Sequence, residues 1–187
     1  MTFRPKRVIL TTKNTRDELA EILLYGLIVS HGIRVDTEIR ILKDKYVYVV
    51  RGIELRHLYP QKKSLLGFVD KIVLREKIVP GTHIEPLSKT LKEVLCADLY
   101  IIRSSSIRPR TIYYSISLPK LVYDKIVIID EDVLEEINDL EWVTSPCIYI
   151  KTGNSTWFIV QSHYLIDISH GGWIRRRGKI EYYNRVV

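Results

Sequence analysis

Lys125-Ile126-Val127-Ile128-Ile129-Asp130 is four β-branched apolar residues closed by a charge at each end. The run is continuous rather than alternating, which fits a strand of a parallel sheet covered on both faces. Working outward, Cys147 to Ile150 and Leu99 to Arg103 read as further strands, as does Ile112 to Ser117, and Arg7 to Thr12 opens the chain as another. Helices are expected between them. Thr15-Arg16-Asp17-Glu18 has the spacing of a capping box, and Leu19, Ile22, Leu23 and Leu27 follow at helical spacing to an end near His31-Gly32. Ser64 is placed to cap a second helix through Leu65, Leu66, Phe68, Val69 and Ile72. Leu87 to Leu95 predicts a third, and Asp130 to Leu140 a short acidic one whose Glu131, Asp132, Glu135 and Glu136 suit a helix N-terminus.

Thr37 to Leu42 and Tyr46 to Val50 form a hairpin pattern around Lys43-Asp44-Lys45. Pro80-Gly81 with Pro86 marks a loop, and Ser104-Ser105-Ser106 with Pro109 another. Trp157 to Ser169 reads equally as helix or strand. Residues 173–187 are a basic, aromatic C-terminal extension with the form of a hairpin turning at Gly178. No repeat, low-complexity tract or linker interrupts the order, so residues 1–187 are expected to form a single α/β domain.

The chain has 187 residues, 46% of them hydrophobic, enough for one real core. No window approaches 18 uncharged apolar residues and no apolar stretch follows the basic start, so neither a spanning helix nor a signal peptide is expected, and the location reads as cytoplasmic. Cys96 and Cys147 have no CxxC partners and read as buried small apolar side chains. His163 and His170 lie seven apart without a third ligand, so no metal site is expected. Gly-rich phosphate loops, G-x-S-x-G and H-E-x-x-H are absent from the sequence. Scarcity of Gln, Asn, Cys and Met hints at a thermophile.

The net charge of +7 and pI of about 9.3 suit an anionic partner: RNA, DNA or a lipid surface. Three basic clusters stand out. Arg56, His57, Lys62 and Lys63 flank one turn; Arg103, Arg108 and Arg110 surround the serine loop; Arg175, Arg176 and Arg177 stand between Trp173 and Tyr182-Tyr183. Interleaved cations and aromatics fit backbone contacts and base stacking on RNA, although any one cluster is also what a solvated surface looks like.

Ser30-His31-Gly32-Ile33-Arg34-Val35-Asp36, two strand-like runs, and Leu58-Tyr59-Pro60-Gln61-Lys62-Lys63-Ser64 together resemble a segment of the SPOUT-superfamily methyltransferases, closest to the archaeal TrmY type that methylates N1 of pseudouridine in tRNA. That family has S-H-x-I-R-x-D, two strands, and a turn of the form P-D-E-R. Arg51-Gly52-Ile53-Glu54-Leu55-Arg56 resembles its F-x-G-x-x-L-R, and Ser162 to His170 resembles its N-H-C-I-T-I-I-H-N. The resemblance implies a parallel-sheet α/β fold with a C-terminal trefoil knot, S-adenosyl-L-methionine as methyl donor, tRNA or rRNA as substrate, and a homodimer. It would place the donor against Ile101, Ile102, Ile129, Asp130, Tyr149, Ile150, Lys151, Thr152 and Tyr164. It makes Arg34 and Asp36 the candidate catalytic pair: a carboxylate to take the N1 proton and an arginine to hold the base or a phosphate. Residues two apart in a strand share a face, and an exposed ion pair is the plainer account of them.

The sequence also departs from the family. Asp130 stands where the family has glycine, adding bulk and negative charge beside the donor. Tyr149-Ile150-Lys151-Thr152-Gly153-Asn154 replaces L-S-L-S/G-P, and Pro60-Gln61-Lys62-Lys63 replaces P-D-E-R. An RNA-binding SPOUT-fold protein without catalysis is therefore the alternative to an active enzyme, and a basic α/β ribonucleoprotein scaffold a third reading.

Overall fold

The computed structural model describes residues 7–30, 32–74, 77–94, 96–104, 125–136 and 147–183. A seven-stranded sheet runs in the order β6-β5-β4-β1-β8-β7-β9. Its strands are β1 (Arg7–Thr11), β4 (Thr37–Lys43), β5 (Tyr46–Arg51), β6 (Thr82–Pro86), β7 (Leu99–Ser104), β8 (Ile126–Ile129) and β9 (Cys147–Lys151). β4, β1, β8, β7 and β9 are mutually parallel, while β5 and β6 join antiparallel at one edge.

The continuous apolar run of β8 suits its place at the centre. Ile126, Val127, Ile128 and Ile129 are all buried, with Ile126 and Ile128 in one core and Val127 and Ile129 in the other. The first core packs α1 (Arg16–Leu27), α2 (Lys62–Val69) and α5 (Ser155–His170) on one face through Leu23, Leu65 and Phe158. The second packs α3 (Leu87–Val94) and α4 (Glu131–Glu136) on the other through Val94 and Val133. A π-helical turn, Asp70–Leu74, extends α2.

Thr15 caps α1 as expected, its Oγ1 accepting from Glu18 N–H at 3.4 Å, but Glu18 Oε2 accepts from the Thr15 hydroxyl at 2.6 Å rather than from its backbone N–H as in a full capping box. Asn154 caps α5, its Oδ1 accepting from the Trp157 N–H at 2.7 Å, and the ambiguous stretch after Trp157 is a helix. Other expectations need correction. α1 ends at Leu27, and β2 (Ile28–Val29) turns back on β3 (Gly32–Arg34) to begin a second sheet. α2 starts at Lys62, with Gln61 rather than Ser64 at its N-cap. The loop expected between Pro80 and Pro86 contains β6, whose edge position tolerates a proline. Cys96 is exposed and Cys147 half-buried.

The second sheet, order β11-β10-β3-β2, is antiparallel. The hairpin expected at Gly178 supplies β10 (Gly172–Arg176) and β11 (Lys179–Tyr183). Ile112 to Ser117, Arg108 and Arg110 lie outside the described residues, as do residues 105–124 and 137–146, on whose course a knot depends. No helix among the described residues is long and apolar enough to cross a membrane.

Candidate functional site

Open parallel sheets bind ligands at the C-terminal ends of their strands, where neighbouring strands send their chains to opposite faces. β1 and β8 meet that condition: α1 follows β1 on one face and α4 follows β8 on the other. Register aligns Leu10 with Ile129, Ile129 with Ile102, and Ile102 with Tyr149. The donor candidates therefore lie on three adjacent strands, with Ile129, Asp130, Ile150, Lys151 and Thr152 at or just past the strand ends and Ile101, Ile102 and Tyr149 inside the ladder. The side chains of Ile101, Ile102 and Ile129 are buried in the cores, and Ile101 and Ile102 are paired with strands on both sides. Tyr164 is not with them. It stands nine residues into α5, about 13 Å along the helix from Ser155, and is 47% exposed.

One guanidinium occupies the edge. Arg103, the penultimate residue of β7, places Nε 2.7 Å and Nη2 2.6 Å from Asp130 Oδ1. Its Nη1 lies 3.1 Å from Glu131 Oε1 and donates to the Thr152 carbonyl at 3.3 Å. Nη2 stands 3.6 Å from Asp132, which also pairs with Lys13 across the gap after β1. The hydrogen bond to Asp132 is the main cause that raises the pKa of Lys13. Asp130 is thus charge-compensated, and Arg103, expected on the RNA surface, is buried at 5% exposure and held by the protein's own carboxylates. The cavity described beside Asp130, lined by Thr11, Ile22 and Phe158, holds only about 10 Å³.

Arg34 and Asp36 lie at the opposite end of the sheet, a strand length of about 13 Å from that edge. They do not share a strand face, because β3 ends at Arg34 and the chain turns through Val35 and Asp36 before β4 begins. Instead they meet through a third residue that sequence reading missed. Arg7, fully buried at the start of β1, puts Nη2 3.4 Å from Asp36 Oδ2 and Nη1 2.7 Å from Asp167 Oδ1. Asp36 also accepts the Trp173 N–H at 2.9 Å. Arg34 reaches Asp167 at 3.2 Å and donates to the Tyr183 hydroxyl. Tyr183 in turn donates to Asp167 at 2.9 Å.

Arg7 further reaches His163 Nδ1 at 3.0 Å and the Gly171 carbonyl at 2.8 Å. Burial drives the His163 imidazole well below its ordinary pKa, and Arg34 and Arg7 add to that. Burial also pushes the Tyr183 phenol up to about 12. Two arginines against two aspartates balance, so the cluster holds β1, β3, α5 and the second sheet together as a closed unit. The signal for it in the sequence was a basic residue opening an otherwise apolar strand.

The remaining basic candidates divide. Arg56, Lys62 and Lys63 are exposed, Lys62 pairing with Asp17 at 3.1 Å in solvent. Arg175 donates to the Leu55 and Ile53 carbonyls at 2.5 and 2.6 Å and so ties β10 to the loop after β5. Arg176 and Arg177 border a cleft on the second sheet. Among the described residues, no group of three or more His, Cys, Asp or Glu side chains is arranged to hold a metal.

No protein-family model matches the chain, and no curated protein matches it significantly. Among solved structures it is similar to the crystal structure of Archaeoglobus fulgidus Nep1 bound to S-adenosylhomocysteine. The two share 18% identity over 82% of this chain and 70% of that one, with a TM-score of 0.48.

Proposed function

We propose that this chain is a SPOUT-type RNA methyltransferase that uses S-adenosyl-L-methionine, with pseudouridine N1 of tRNA or rRNA as the target and a homodimer as the working form. The observation that supports the reading is the crevice between β1 and β8, where α1 and α4 leave on opposite faces, beside the strands β8, β7 and β9 that carry the candidate donor segments. The backbone at Ile102, Ile129 and Tyr149 would hold the donor there, and its carboxylate would meet Arg103 and Lys13. When bound, the donor would supply an electrophilic methyl group: N1 would gain the N–C bond as the S–C bond breaks to leave S-adenosylhomocysteine, and the N1 proton would pass to water. The exposed Arg56, Lys62 and Lys63 would carry phosphate contacts.

Arg34 and Asp36 have a positioning role in this reading. Both are buried, and the partners of Asp36 are Arg7 and the Trp173 amide rather than solvent.

A second reading, RNA binding without catalysis, is favoured by the Arg103–Asp130 pair. It lies where the donor would sit, and a ligand would have to part it. Calorimetry with S-adenosyl-L-methionine, followed by transfer of a labelled methyl group to unmodified tRNA and rRNA transcripts, decides between the two. Donor binding with transfer supports the enzyme. RNA binding that weakens in Lys62→Glu with Lys63→Glu, without any donor binding, supports the alternative.

A further inference from the structure

Two adjoining clefts lie on the second sheet, one of about 690 Å³ and one of about 250 Å³, sharing Ser30, Arg176 and Glu181. The pairing creates them. Because β10 runs antiparallel to β3, with Ile174 opposite Arg34 and Arg175 opposite Ile33, the turn after β2 and the turn after β10 come to the same end of the sheet. Arg177 and Lys179 complete the larger cleft, and Tyr182 borders the smaller.

Three cations face one carboxylate here. Arg176 has a buried Nε without a hydrogen-bond partner among the described residues, whereas its neighbour Arg175 is committed to two carbonyls. The backbone adds an independent observation. Only Ser30, Asp44 and Arg177 are non-glycine residues at positive φ among the described residues, and two of the three border this cleft, Ser30 at 44° and Arg177 at 46°. In a two-residue hairpin turn with both residues left-handed, here Arg177 and Gly178, asparagine or glycine fits the first position with less strain. A long cation kept in a strained position points to a task for that cation.

We propose that this cleft binds the sugar–phosphate backbone of single-stranded RNA, with Arg176, Arg177 and Lys179 on the phosphates. The register puts Arg176 opposite Lys179 and Ile174 opposite Glu181 on one face of the sheet, whereas the Tyr182 ring leans on Trp173 at 5.2 Å on the other, so the charged face alone forms the site. The proposal rests on the RNA-binding part of the function above. It adds a site on a different sheet from the donor crevice, one that grips flanking RNA whether or not methyl transfer occurs.

The test is fluorescence anisotropy of a labelled oligouridylate over a salt series, with wild type, Arg177→Asn, and Arg177→Asn with Lys179→Gln. Asparagine suits the turn, so the single variant should melt no lower than wild type, which separates binding from folding. The double variant should bind roughly tenfold more weakly, and its salt slope should be shallower by about 0.7 for each phosphate that the protein no longer neutralises. If wild type binds the oligonucleotide and the double variant matches it in affinity and slope, the cleft is not the site, while RNA binding elsewhere stands. If wild type binds neither the oligonucleotide nor a tRNA transcript, this proposal and the RNA reading fall together. Binding to phosphatidylserine vesicles alone would make the partner a membrane and overturn the proposal.

Discussion

Arg7 Nη1 stands 2.7 Å from Asp167 Oδ1, joining the first residue of β1 to the last helix with both side chains buried. The contact spans most of the chain and ties the start of the parallel sheet to the point where α5 hands over to the second sheet. Its removal leaves Asp36 without its ion pair and Asp167 with Arg34 alone. Arg7→Met is expected to destabilise the protein by about 3–5 kcal/mol. Urea denaturation reads this directly, and a loss below about 1 kcal/mol would show that the cluster contributes little.

His163 gives acid sensitivity. Burial, reinforced by Arg34 and Arg7, keeps its folded pKa well below the ordinary value. In the unfolded chain the imidazole takes up a proton near pH 6.5, and in the folded chain it does not. The unfolded state therefore binds more protons below that pH, so the stability is intact above about 6.5 and falls as the solution is acidified. Below pH 6.5 the wild type should lose stability more steeply than His163→Gln does, the excess slope approaching about 1.4 kcal/mol per pH unit. Parallel stability–pH curves for the two proteins would refute this.

Two glycines should respond in opposite directions. The Gly52 amide donates to Thr37 O at 2.9 Å, and a Cβ at Gly52 would overlap the Arg34 carbonyl, a backbone atom that cannot step aside. Gly52→Ala is expected to cost more than about 4 kcal/mol or to prevent folding. Gly67, in α2, has open space where a Cβ would go. Gly67→Ala should stabilise by about 0.5–1 kcal/mol by restricting the unfolded chain. Thermal melts of both variants would test the pair, and a tolerated Gly52→Ala would be incompatible with this packing.

Asp130 and Arg103 should not be equivalent. Asp130→Gly leaves Arg103 with Glu131, Asp132 and the Thr152 carbonyl, so the fold should persist while the crevice opens. Donor affinity by calorimetry should then rise, and an unchanged affinity would mean that Asp130 does not obstruct the donor. Arg103→Ala instead strands a buried carboxylate and should cost about 3–5 kcal/mol in denaturation experiments.

Much of the architecture could be read from the sequence because local chemistry set it. The unbroken apolar run of β8 needed two covered faces, and the Thr15 cap and the Gly178 turn fixed their elements through contacts a few residues long, whereas the Asn154 cap that makes α5 a helix was not read. Those short-range signals placed most of the parallel strands and most helices. The candidate donor segments came from the family resemblance rather than from these signals. What they could not supply was the partner of each charge. Arg103 reads as one more surface cation until β7 sets it beside Asp130, and Arg34 and Asp36 read as an exposed pair until Arg7 and Asp167 close over them. The edge strand β6 and strand β3 were hidden for the same reason, since β6 pairs with β5 and β3 with β10, distant in sequence. Desolvation decides whether a charge is a surface group or a buried strut, and only the tertiary fold determines which charges lose their water.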